Sequence, residues 1–177
     1  MPAALQTPEF IEALVELDAC QGTLAYRPER MAEAREHRQK RLLSPDGPTY
    51  AAVLDETMIH RLAVPPQVMA AQLSRLIDMV TTNEKITIQV LPNNVRIPGG
   101  LLPQASFSLY TFPEPGDSAL AVVDTVTTDI VLTKRNELAT YTELYERVHE
   151  AALSPEDSLS FFSRVAARLT DGAGSDA

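Results

Sequence analysis

Cysteine is nearly absent: Cys20 is the only one in 177 residues. A lone cysteine excludes an intrachain disulfide and a thiolate metal cluster, and a reduced, intracellular setting is the simplest reading. Basic residues are also in deficit, 15 Lys and Arg against 24 Asp and Glu, for a formal net charge of −9. Phosphate-backbone binding needs a local excess of cations, so this balance argues against a nucleic-acid surface while leaving room for a small basic patch. No charged-then-apolar leader opens the chain and no apolar run approaches membrane-spanning length. The expectation is a soluble, cytoplasmic protein with no membrane partner.

The common catalytic signatures are missing too. There is no phosphate loop, no G-x-G-x-x-G, no G-x-S-x-G, no H-E-x-x-H and no paired C-x-x-C. His37, His60 and His149 are isolated from one another, and no spacing of His and carboxylates argues for a metal. No cofactor and no metal is expected.

What is present is an ordinary soluble composition, 45% apolar and 22% charged, in a chain long enough to bury a core of its own. Thr7-Pro8 reads as an N-cap with proline at the first helical position, and Phe10, Ala13, Leu14 and Leu17 make one apolar face of a helix that should end near Gly22. A polar helix follows from Pro28, carrying Arg27, Arg30, Arg35, Arg38, Lys40 and Arg41 interleaved with Glu29, Glu33 and Glu36. "TYAAVLDE" reads as a short buried strand. "PPQVMAAQLSRLIDMV" is an amphipathic helix with Met69, Leu73, Leu76, Ile77 and Val80 on its apolar side.

Strand chemistry then takes over. "KITIQVLP" alternates Ile86, Ile88 and Val90 against Thr87, Gln89 and Leu91, and "SFSLYTFP", "ALAVVDT" and "DIVLT" complete the run, with a hairpin-type loop at 113–117. The connection 93–104 mixes Pro and Gly with Val95, Ile97, Leu101 and Leu102, as a flap folded over a core or pocket would. Two helices close the chain. The first is marked by Leu138, Tyr141, Tyr145 and Val148, with His149 facing solvent. The second starts at a Ser154–Asp157 capping box and has Leu159, Phe162, Ala166 and Leu169 on its face. Helices, strands, then helices give an α+β class with a mostly antiparallel central sheet. A single domain over 1–170 and a disordered tail over 171–177 are expected.

Candidate site residues follow from residue chemistry. Asp55 and Glu56 end a strand and open a helical turn, where carboxylates cap free N–H groups or, with His60 a turn later, line the mouth of a pocket. Arg35, Arg38 and Gln39 could clamp a carboxylate or phosphate; the plainer reading is an exposed helix laced with ion pairs such as Glu36–Lys40. Gln89 and Asp124 lie in strand-like runs and become pocket candidates if both sheet faces are covered, with Tyr26, Tyr50 and Tyr110 as possible lining.

In this order, "ALQTPEF", Ala34-Arg35-Glu36-His37-Arg38-Gln39, "VLDETMIHR", "VMAAQLSRLIDM", "ITIQVLP" and "EAALSPEDS" resemble the DUF5753, or Scr1-type, domain of actinobacterial regulators. The resemblance runs from Pro2 to about Phe162. It implies a sensing or partner-binding module that usually follows an Xre-type helix-turn-helix and works beside small DUF397-type proteins; it brings no catalytic residues. By position it matches Leu5, Gln6 and Thr7, then Arg35, Arg38 and Gln39, then Val53, Leu54, Asp55 and Glu56. Here Ala3 stands where Gly is usual, no helix-turn-helix is expected within the 177 residues, and the flap carries extra apolar residues. The family's regulators generally act as dimers, which makes a homodimer an expectation.

Two functions therefore stay open. The first is a stand-alone module that binds a small molecule or a protein partner, with Arg35, Arg38, Gln39, Asp55 and Gln89 as ligand contacts and no direct role in reading DNA. The second is a cofactor-independent biosynthetic enzyme of the cyclase, isomerase or proton-transfer type, with Asp55, Glu56, His60, Asp124 and Tyr110 as acid–base groups.

Overall fold

A computed structural model describes residues 1–20, 22, 26–99, 103–113, 119–125 and 128–173. The class is α+β. After a short 3-10 turn at Ala3–Leu5 the elements are α1 (Pro8–Ala19), α2 (Pro28–Leu42), β1 (Tyr50–Asp55), α3 (Glu56–His60), α4 (Pro66–Thr82) and β2 (Ile86–Leu91). Then come β3 (Phe107–Tyr110), β4 (Leu120–Asp124), β5 (Asp129–Leu132), α5 (Arg135–Ala151) and α6 (Pro155–Ala173). The chain forms two compact units, one from Met1–Asn93 with Leu153–Ala177, the other from Asn94–Ala152.

The strands do not assemble into the expected central sheet. Among the described residues they form two: a parallel pair β1–β2 and an antiparallel meander β3–β4–β5. The cause lies in the connections. A hairpin turn joins antiparallel neighbours, whereas parallel neighbours need a crossover long enough to carry a helix, and α4 is that crossover between β1 and β2.

In the first unit, β1 and β2 run in register from Tyr50 beside Ile86 to Asp55 beside Leu91. Ile86, Ile88 and Val90 are buried as their alternation requires, but so are Gln89 and Leu91, because β2 is covered on both faces. Leu73, Leu76 and Met79 of α4 meet Phe161, Phe162 and Val165 of α6 in the core, which also takes in Leu5, Phe10 and Ile59. The buried side of α1 is Phe10 with Ile11, while Leu17 is 42% exposed and the helix ends at Ala19, earlier than Gly22. After α2 the chain turns through Gly47, where an added Cβ would sit 2.4 Å from the Leu42 carbonyl oxygen, so no side chain fits without moving backbone.

The free edge of β2 is closed by the start of α6. Leu153 N–H donates to the Val90 carbonyl (2.8 Å), and Val90 N–H donates to Ser158 Oγ (3.0 Å). Ser158 is fully buried, and its hydroxyl proton goes to the Ser154 carbonyl (2.8 Å). Ser154 caps α6 by accepting from Asp157 N–H (3.0 Å). Its hydroxyl donates to the Asp157 carboxylate (2.9 Å), a contact that replaces the reciprocal backbone bond of a capping box. The expected tail begins too early: α6 runs on through Asp171 to Ala173, and 174–177 lie outside the described residues.

In the second unit, register places Phe107, Val123 and Ile130 in one row and Leu109, Ala121 and Leu132 in the next, on the same sheet face. Ala121 and Val123 are buried, and Phe107 meets Tyr141 of α5 edge to face at 5.1 Å. On α5 the buried residues are Leu144 and Val148; Leu138, Tyr141 and Tyr145 are half-buried and His149 is exposed. Within the flap, Ile97 is buried and Val95 exposed, while Leu101 and Leu102, like 114–117 of the hairpin loop, lie outside the described residues.

Replacing Ser158 by Ala keeps the packing but orphans the Val90 N–H. Chemical unfolding should show a loss of about 1–3 kcal/mol, the cost of a buried unpaired amide. Ser163→Ala, at an exposed position on the same helix, should stay within about 0.5 kcal/mol.

Candidate functional site

The residues Leu5-Gln6-Thr7 are held by side-chain amides. Gln72, fully buried on α4, donates from Nε2 to the Leu5 carbonyl (2.8 Å) and accepts at Oε1 from Thr7 N–H (2.7 Å). It pairs with the segment as a neighbouring strand would. Gln39 of α2 donates to the Ala4 and Gln6 carbonyls (3.2 and 3.4 Å). Gln6 turns inward, donates to the Met1 carbonyl (2.8 Å), and offers Oε1 to the Arg35 guanidinium (2.5 Å). Thr7 Oγ1 then accepts from Phe10 N–H at 3.2 Å and starts α1. The Gln39 amide nitrogen is thus engaged by backbone. Gln72, which does most to hold this segment, has no signal in the sequence beyond a glutamine inside an apolar helix stripe.

Arg35 is different. It is half-buried, and its one hydrogen bond among the described residues goes to a neutral amide. None of the ion pairs among the described residues includes it. Its pKa is lowered chiefly by burial and further by neighbouring Arg38, against the opposing fields of Tyr26 and Asp18. An arginine remains cationic under such a shift. The Met1 α-amino group feels the same field: burial, and then Arg35, hold its pKa down to about 6. Arg38 is exposed and has no hydrogen bond or ion pair among the described residues. Glu36 and Lys40, beside them on α2, pair with each other at 2.6 Å on the surface. The Asp18 carboxylate accepts from the Tyr26 hydroxyl (2.6 Å).

A second cluster sits at the carboxyl ends of the parallel strands. Asp55 caps α3 by accepting from Thr57 N–H (2.7 Å). Glu56 lies 3.2 Å from His60 Nε2 through one oxygen and accepts from Asn93 N–H through the other (2.8 Å). Thr57 Oγ1 donates to Asn93 Oδ1 (2.7 Å), and the His60 ring meets Phe161 edge to face at 5.8 Å. Beside α3 an open, mainly apolar depression of about 190 Å³ is lined by Thr57, Met58, Arg61 and Ala63.

The remaining candidates separate. Gln89 is buried and donates to the Leu153 carbonyl (2.7 Å), a bond that holds α6 to β2. Asp124 and Tyr110 belong to the second unit, at opposite ends of one strand pair. Tyr110 lies opposite Leu120, and Asp124 stands four residues further on, ~13 Å at ~3.3 Å per residue, so the two cannot act on one atom. Tyr50 packs against the core of the first unit. Among the described residues no three metal-binding side chains converge, and no helix is long and apolar enough to cross a membrane.

These features define an α+β chain whose polar side chains gather at the N-terminal segment, on α2 and at the carboxyl ends of the parallel strands. The chain belongs to the DUF5753 family, a domain of unknown function whose family model matches residues 1–164. Comparison with the curated proteins and with the solved structures finds no match.

Gln72→Met fills similar space but strips two backbone groups of their partners. Thermal or urea unfolding should report a loss of about 2–4 kcal/mol. Arg38→Ala should change stability by less than about 0.5 kcal/mol, since it is exposed and no described residue bonds to it.

Proposed function

We propose that this chain is a non-catalytic binding module of the sensing type, and that it recognises an anionic group through Arg35 and Arg38. The carrying observation is the half-buried Arg35 guanidinium, which is bonded to a neutral glutamine in a protein with 24 acidic side chains. Most of its donors remain for a ligand, and Arg38 three residues on adds a second fork on the same side of α2. A carboxylate-bearing small molecule fits this chemistry. An acidic side chain of a DUF397-type small protein is the other occupant of the same kind. Neither involves contact with DNA. Because the Arg35 bond leads into Gln6, and Gln6 holds the Met1 carbonyl, occupancy is linked to the segment Met1–Thr7.

The alternative, a cofactor-independent proton-transfer enzyme, has one observation in its favour. Glu56 orients His60 at the carboxyl ends of parallel strands, a common place for ligands. The depression beside α3 falls short of the ~300 Å³ at which ligand pockets begin, and Asp55 is committed to capping. The binding reading is therefore preferred.

Titration calorimetry against succinate, citrate and inorganic phosphate tests it. Binding of at least one should weaken with added salt, fall about tenfold or more in Arg35→Gln, and fall again when Arg38→Gln is added. Arg35→Lys, which keeps charge but loses the fork, should recover only part of the affinity. No binding at millimolar anion, or affinity indifferent to both arginines in folded variants, sinks the proposal.

A further inference from the structure

The meander of the second unit ends in β5, whose outer edge has no strand neighbour among the described residues. Among the described residues β5 pairs only with β4. Edge strands in soluble proteins are commonly blunted by an outward-facing charge, a proline or a bulge. β5 has none of these at its centre: Ile130 is 47% exposed and Val131 60%. The two point to opposite faces, so the edge is apolar on both sides.

Charge along this edge is arranged by sign. Asp129 opens β5 and lies directly opposite Asp124 of β4, both exposed, a like-charge pair that no salt bridge among the described residues relieves. Like charges opposite one another destabilise a ladder. Lys134, 3.5 Å from Glu137, and Arg135, the first residue of α5, follow the strand at its other end. An antiparallel copy of the same strand brings Lys134 to within one position of this acidic end, twice over, by symmetry.

We infer that β5 is the docking edge for a second copy of this chain, joined by antiparallel β5–β5 pairing about a two-fold axis through Val131. That axis sets Val131 opposite Val131, Ile130 opposite Leu132 and Asp129 opposite Thr133 of the second copy. Every apolar residue of the edge gains an apolar neighbour. On the outer face the row Ser108–Val122–Val131 continues into its own mirror sequence, giving four valines side by side across a six-stranded sheet. A contact of two four-residue strands is small, so the dimer is weak and concentration-dependent, in the ~1–100 µM range.

Sedimentation velocity on the wild-type chain from ~1 to ~300 µM tests this. A monomer–dimer equilibrium is expected. Val131→Lys and Val131→Glu each set like charges against each other on the axis and should shift dissociation at least tenfold, with unchanged circular dichroism because the side chain is exposed. Mixing the two variants should restore the dimer by opposite charge. A wild-type chain that stays monomeric throughout, or a dimer that survives both single variants, overturns the inference; so does a mixture no tighter than its components.

Discussion

Buried backbone groups without strand neighbours are the constraint on which the first unit depends. A sheet of two parallel strands has two open edges, and a buried N–H or C=O left unpaired costs about as much as a lost hydrogen bond. The protein meets this with side chains where a larger sheet would use strands. Ser158 and the Leu153 backbone close the edge of β2 at Val90, and Gln89 ties the Leu153 carbonyl back to the strand. Gln72 does the same for Leu5 and Thr7, and Gln39 for Ala4 and Gln6. No buried side-chain nitrogen or oxygen among the described residues lacks a partner. A core with this many buried amides stays specific only when each bond is made, so these glutamines fix one arrangement of the elements.

The same constraint explains what could be read from the sequence. Periodicity marked the helices well, because α4 and α6 bury stripes that recur at helical spacing: Met69, Leu73 and Leu76, and Phe162 with Ala166. It marked the strands as strands, but not their partners. The segments around Ile86 and Phe107 look alike in alternation, yet one joins a parallel pair and the other a meander, a choice made by the length and content of the connections. Side-chain-to-backbone pairing at long range left no local trace. Gln72 and Leu5 are far apart in sequence, and nothing near either of them announces the other.

The candidate site was legible in part for the same reason. Residues on one helix can be judged together, so Arg35, Arg38 and Gln39 could be grouped from spacing alone. Their different fates depend on what packs against α2. Gln39 donates to carbonyls, Arg35 meets a neutral amide rather than an ion-pair partner, and Arg38 meets solvent. Asp55 and Glu56, adjacent in sequence, diverge likewise: one caps α3 and the other bridges His60 and the Asn93 amide.

The lack of a direct ion pair at Arg35 among the described residues also bears on why the N-terminal segment is built as it is. A carboxylate in place of Gln6 would pair with Arg35 more strongly, because a charged bidentate contact is about twice as strong as one to a neutral acceptor. It would also close the site, neutralise the cation and lose the amide proton that holds the Met1 carbonyl. The neutral glutamine holds the guanidinium in place without neutralising it. Stability is drawn instead from Gln72 and the Leu5 and Phe10 side chains beneath, which no ligand at Arg35 touches. On the binding reading proposed above, this separates an inner clamp, made by Gln72, from an outer contact at Arg35 that a ligand would share with Gln6.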